Sequence, residues 1–145
     1  MHRSGTSSPT RRRRLMLVAA VVCIVPVGLA ARFLLGGWVA DISGGVLYAV
    51  LVYLLVAFCL AQRRPLIIAV MSLGICWAVE LLQLTPLPRD LGAVFPPIRL
   101  VLGTTFVAWD LLGYAAGAAA AWLAECCLRV WGRTASAPEP AAEAH

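Results

Sequence analysis

Two carboxylates stand inside otherwise apolar runs of this chain, Glu80 and Asp110. A charge within a membrane-length apolar run is costly and marks a functional site by default. Glu80 opens a Glu80-x-x-Gln83 pair on one helix face, with Trp77 three residues before it. Two such acids suit three kinds of chemistry: acid/base catalysis, cation or proton binding, or hydrogen-bonded glue between helices. For Asp110 the candidate partners are Tyr53, Tyr114, Thr104 and Gln83; for Glu80 they are Arg32, Arg89 and Arg99. Glu80, Gln83, Arg99 and Asp110 are expected to converge on one polar cleft, which Arg32 could complete. Much other chemistry is excluded. The only histidines are His2 and His145, one at each end, which removes Ser-His pairs, HExxH zinc helices and imidazole relays. There is no GxGD motif, no phosphatase Ser-Gly-His and no nucleophile beside a base, so neither metal nor cofactor is expected. Five cysteines lack CxxC spacing and fall in or beside apolar runs, which reads as small buried hydrophobes without a disulfide framework.

The elements that must position these residues follow from composition. The 145 residues are 61% hydrophobic and 13% charged, with a mean hydropathy of +0.87. A soluble domain of this size leaves too much surface wet to be covered by so few charges, and disorder needs low hydrophobicity. The chain reads as an all-α, polytopic membrane protein with four transmembrane helices, at about 15–37, 42–62, 66–84 and 100–128. Residues 1–14 form a polar basic tail and 132–145 a disordered one. The first apolar run outlasts a secretory signal core, since Phe33-Leu34-Leu35 continues it beyond Arg32. On this reading Glu80 lies about 6 Å below one interface and Asp110 about 15 Å deep, near the midplane. Gly103, Phe106, Asp110, Gly113, Tyr114 and Gly117 then form one stripe of the fourth helix. Gly113 and Gly117 make a GxxxG on that stripe, which lets another backbone approach closely.

All 12 basic residues are arginine, and with abundant Ala this suggests a GC-rich bacterial genome. Nine arginines (Arg3, Arg11, Arg12, Arg13, Arg14, Arg63, Arg64, Arg129 and Arg133) flank one side of the four spans. Only Arg32, Arg89 and Arg99 flank the other, so both termini are expected in the cytoplasm of a bacterial cell membrane. Immediately before an apolar span, the run Arg11 to Arg14 suits anionic lipid headgroups better than nucleic acid. Trp38 and Trp131 fall where opposite interfacial belts belong.

The pattern Trp77-x-x-Glu80-x-x-Gln83-Leu84, an Arg-containing loop, then Leu102-Gly103-x-x-Phe106-x-x-x-Asp110-Leu111-x-x-Tyr114-x-x-Gly117 resembles the domain-of-unknown-function 2809 family of small bacterial membrane proteins. The resemblance covers about residues 30–120. More distantly, the Glu-Gln helix, the Arg89-Asp90 loop and the Asp-containing last helix are similar to the VanZ-like family. Tyr114 stands in the region where that pattern carries Asn. The VanZ-like resemblance implies a role in the cell envelope, where that family is linked to teicoplanin resistance. Three function classes follow. The leading one is a non-enzymatic envelope protein with a lipid- or glycopeptide-binding cleft open to the outer face. The others are a small membrane enzyme using Glu80 and Asp110 as acid and base, and a cation or proton carrier. Four helices are few for a transport pathway, so a carrier would require a homo-oligomer.

Overall fold

The computed structural model describes residues 9–34, 36–103 and 105–134, with the side chains of all but Pro9, Arg32 and residues 132–134. Both histidines, Arg3, Thr104 and the expected disordered tail from residue 135 onward lie outside the described residues. The described chain is all helix: α1 Pro9–Leu34, α2 Gly37–Cys59, α3 Pro65–Leu82, α4 Leu87–Val94, α5 Ile98–Leu102 and α6 Asp110–Thr134. Four of these, α1, α2, α3 and α6, are long and apolar enough to cross a membrane. Even the shortest, the 18-residue α3, spans about 27 Å at 1.5 Å per residue, close to a hydrocarbon core.

The local chemistry at the boundaries is plain. α3 starts at Pro65, whose missing N–H is one of the orphan donors at any helix start, behind an extended Arg64. α2 follows α1 almost without a loop because Gly37 takes a positive φ of 60°. Pro26 is carried within α1, which runs through it. The long helices alternate in direction. The ends of α1 and α3 therefore meet the starts of α2 and α6 at the end of the bundle farthest from the N-terminal arginines, called the distal end below.

Helix α2 is the centre of the bundle, packed against α1, α3 and α6, while α3 also packs against α6. α1 leans on α2 and buries none of its membrane-length stretch. The core has two patches: Ala49, Val52, Cys76 and Tyr114 toward the distal end, then Tyr53, Ala57 and Ile68. Small residues let α2 and α6 close. A Cβ on Gly117 would run into the Val46 carbonyl oxygen and lie 2.9 Å from the Ala49 Cβ. At Gly113 the nearest atoms, on Gly45, Ile42 and Val46, are 3.7 Å away, which is ordinary contact. Large apolar side chains such as Leu15, Val22, Val70, Leu112 and Leu128 point outward, as lipid-facing positions must.

Two expectations are corrected here. The fourth long helix does not start at Leu100 but at Asp110. The apolar run is cut at Gly103, whose φ of 66° ends α5, and residues 105–109 are outside any helix. Gly103 is therefore not on the stripe with Gly113 and Gly117, and Asp110 sits at a helix start, not ten residues deep. The cysteines also differ from expectation: Cys76 is buried, but Cys23, Cys59 and Cys127 are exposed on the outer faces of their helices. An apolar thiol faces lipid as readily as core.

Candidate functional site

The side chains of Trp77 and Glu80 on α3 and of Gln83, which caps it, recur every three residues and all reach the same stretch of chain. Trp77 Nε1–H donates to the Leu111 carbonyl at 3.4 Å. Glu80 Oε1 accepts from the Val107 backbone N–H at 2.6 Å, and Oε2 from the Tyr114 hydroxyl at 2.9 Å. Gln83 Nε2 donates to the Leu102 carbonyl at 2.7 Å. The stripe is a ladder holding the segment between α5 and α6. Non-helical backbone at a membrane boundary must find partners inside the protein, and Glu80 supplies one to Val107. Glu80 is 0% exposed and both its oxygens are occupied. The expected pairing of Glu80 with Arg89 or Arg99 is corrected: among the described residues its partners are a peptide N–H and a phenol, because the Gly103 break brings Val107 within reach.

Of the partners considered for Asp110, Thr104 lies outside the described residues and the other three bond elsewhere. Tyr114 serves Glu80, Tyr53 serves Glu125, and the Gln83 amide serves Leu102. Asp110 occupies the first turn of α6, where the helix dipole favours a carboxylate. Arg99, on α5, lays its stem over Gly92 of α4; a Cβ there would come within 2.6 Å of Arg99 Cγ. Gly92 thus leaves the room that positions Arg99.

Beside this ladder runs a groove of about 670 Å³ between α1, α2 and the α5–α6 segment. Its wall toward the middle of the bundle is apolar, with Ile24 and Val25 of α1 facing Leu47 and Leu51 of α2. Its polar groups, Asp41, Gln83, Arg99 and Asp110, all lie in the distal part, among Phe33, Leu100, Val101 and Val107, with Tyr48 and Tyr114 nearer the middle. Gln83, Arg99 and Asp110 therefore share one concavity, with Glu80 buried behind it. The Arg32 side chain lies outside the described residues. The volume is that of a small-molecule site.

Residues 34–118, more than half of the chain, match a family described as "Protein of unknown function (DUF2809)". The chain belongs to the DUF2809 family. No curated protein and no solved structure matches it. The DUF2809 match carries the first of the two resemblances drawn from the sequence and does not extend to the VanZ-like one. It runs from the end of α1 into α6, so it contains the whole Trp77–Glu80–Gln83 ladder and the segment that the ladder grips.

At the opposite end of the bundle lies a second polar cluster, of which only Tyr53 falls within the DUF2809 match and which the sequence does not single out. Glu125 Oε1 meets Arg13 Nη2 at 2.6 Å and Arg129 Nη2 at 2.7 Å, while Oε2 accepts from the Tyr53 hydroxyl at 2.5 Å. This ties α1, α2 and α6 together through one half-buried carboxylate. Only the Glu125-Arg129 spacing of four was visible in sequence. Asp41 was also missed. α2 starts at Gly37, ahead of the uncharged run read as its beginning, and this draws Asp41 into the helix and onto the groove.

Proposed function

We propose that this DUF2809 protein is a non-enzymatic component of a bacterial cell envelope that holds a lipid-like amphiphile in its groove, head at the distal end. The groove's gradient carries the reading: apolar walls from α1 and α2 lead to a rim of Gln83, Arg99 and Asp110. Amphiphile sites need that order along the bilayer normal. The rim faces the outside if the nine-arginine side is cytoplasmic. A VanZ-like role would give this binding its setting. At the other end, Arg11, Arg12 and Arg14 are proposed to rest on anionic headgroups, while Arg13 is engaged by Glu125. Acid/base catalysis by Glu80 and Asp110 suits the geometry less well, because Glu80 is fully buried with both oxygens in use.

The groove itself offers the test. A Cβ on Gly44 meets nothing within 4 Å, and Gly44 lines the groove. Gly44→Leu should fill the space without touching helix packing, and replacing a mid-helix glycine should leave melting temperature equal or slightly higher. Phospholipid retained through purification and counted by native mass spectrometry should fall to background in this variant. Retention equal to wild type would remove the groove from the proposal. Orientation is tested separately. Alkaline phosphatase fused after Pro88 should be active and fused after Arg64 inactive; the reverse pattern would turn the rim toward the cytoplasm.

A further inference from the structure

The polar rim carries information about the head it would accept, and this inference rests on the amphiphile-binding reading above. The Arg99 guanidinium is exposed on the groove and makes no hydrogen bond or ion pair with any described residue. The Asp110 carboxylate also lines it and accepts no hydrogen bond from any described residue. Gln83 donates its amide to Leu102, and its Oε1 is buried without a partner. A buried acceptor left unmatched is costly, so its presence beside a groove points to a donor that arrives with a ligand. Asp41 also lines the groove and is itself engaged. Among the described residues, the rim thus presents one cation, Arg99, together with two acceptors, Asp110 and Gln83 Oε1, that accept from none of them.

We infer that the headgroup is zwitterionic, with a phosphate facing Arg99 and a primary ammonium donating to Asp110 and Gln83 Oε1, as in an aminophospholipid of the phosphatidylethanolamine type. Each alternative leaves part of the rim unmet. A choline head has no N–H, so it cannot satisfy the orphaned Gln83 oxygen or bond to Asp110. A glycerol head brings hydroxyl donors but no positive charge, so its lipid stays net anionic beside the Asp110 carboxylate. An ammonium supplies three donors in a compact volume, and its charge strengthens each bond to a carboxylate. The acyl chains would follow the apolar wall between α1 and α2 toward the middle of the bilayer, beyond the ~670 Å³ that the groove encloses.

The test is competition among lipids of equal chain length for the purified full-length protein in detergent, read by native mass spectrometry. Phosphatidylethanolamine should bind about tenfold tighter than phosphatidylcholine or phosphatidylglycerol, the usual worth of a hydrogen bond to a charged group. Asp110→Asn should shrink the preference over phosphatidylcholine several-fold, with Gln83 Oε1 still able to accept, while leaving bound phospholipid overall nearly unchanged. Arg99→Gln should weaken all three lipids together. The preference in the wild-type protein needs no variant to fold, so it decides the matter even if one does not. If lipid is retained and lost in Gly44→Leu but the three heads bind equally, or phosphatidylglycerol binds best, this inference fails and the binding function stands. If no lipid is retained, or Gly44→Leu retains it unchanged, both fall.

Discussion

Replacing Glu80 with alanine is expected to destabilise the protein by about 3–5 kcal/mol, the largest single-residue effect outside the helix interfaces. Two hydrogen bonds to one buried carboxylate are lost at once, those from the Val107 N–H and the Tyr114 hydroxyl. Each is worth about 1.5–3 kcal/mol, and the Val107 N–H is left without a partner next to hydrocarbon. Glu80→Gln should recover part of the loss. Its carbonyl still accepts from Val107, and its amide can donate to the Tyr114 oxygen, so one bond survives with its direction reversed. Tyr114→Phe alone should cost less than Glu80→Ala. Combined with Glu80→Ala it should cost much less than the sum, because the two remove the same bond. Thermal unfolding in detergent gives the ranking. A Glu80→Ala protein that melts with the wild type would mean that the carboxylate does not hold the α5–α6 segment.

Gly117 should prove nearly as sensitive. Even Gly117→Ala places a Cβ against the Val46 carbonyl and 2.9 Å from Ala49 Cβ, and neither group is the free end of a flexible side chain. The helices must separate, at a cost of about 1–3 kcal/mol, and Gly117→Leu should cost more and lower the yield of folded protein. Gly113→Ala makes an instructive contrast. Its Cβ would stand 3.7 Å from its neighbours, and alanine is the better helix former, so little or no loss is expected. Leucine at the exposed Ala120 should be neutral, whereas Ala121 packs against the Tyr53–Ile68 core and is no neutral control. Equal melting temperatures for Gly113→Ala and Gly117→Ala would mean that α2 and α6 do not approach as closely as described.

The contrast between the two glycines was not visible in the GxxxG motif. The motif states that small residues recur on one face; which of them touches a neighbour depends on the crossing point of α2, close to Val46 and Ala49. Trp77, Glu80 and Gln83 were legible as a unit because three-residue spacing fixes a shared helix face. Their partners were not. The arginines proposed for Glu80 were the obvious countercharges in sequence, yet a peptide N–H and a phenol took the site. A backbone donor carries no residue signature, so no reading of side chains could have found Val107.

Composition and apolar run length were enough to establish an all-helical chain with four membrane-length helices, because both are sums over many residues that no single contact can overturn. Solvent transfer acts on each residue in turn, and twenty apolar residues outweigh any one neighbour. The start of α6 was decided otherwise. From Leu100 to Ala108 the hydropathy reads as a membrane-spanning helix, and Gly103 with the β-branched and aromatic residues around it weakens that preference by only tenths of a kcal/mol up to about 1 kcal/mol each. A hydrogen bond from Val107 to a buried carboxylate on another helix is stronger than such a preference, and it holds the segment off the helical path. The Gly103 turn and that tertiary contact together move Asp110 from the middle of a span to the rim of a groove. The Arg13–Glu125 pair, 112 residues apart, depends in the same way on how the helices stack. Local patterns set the elements, and contacts between residues distant in sequence set where the charges meet.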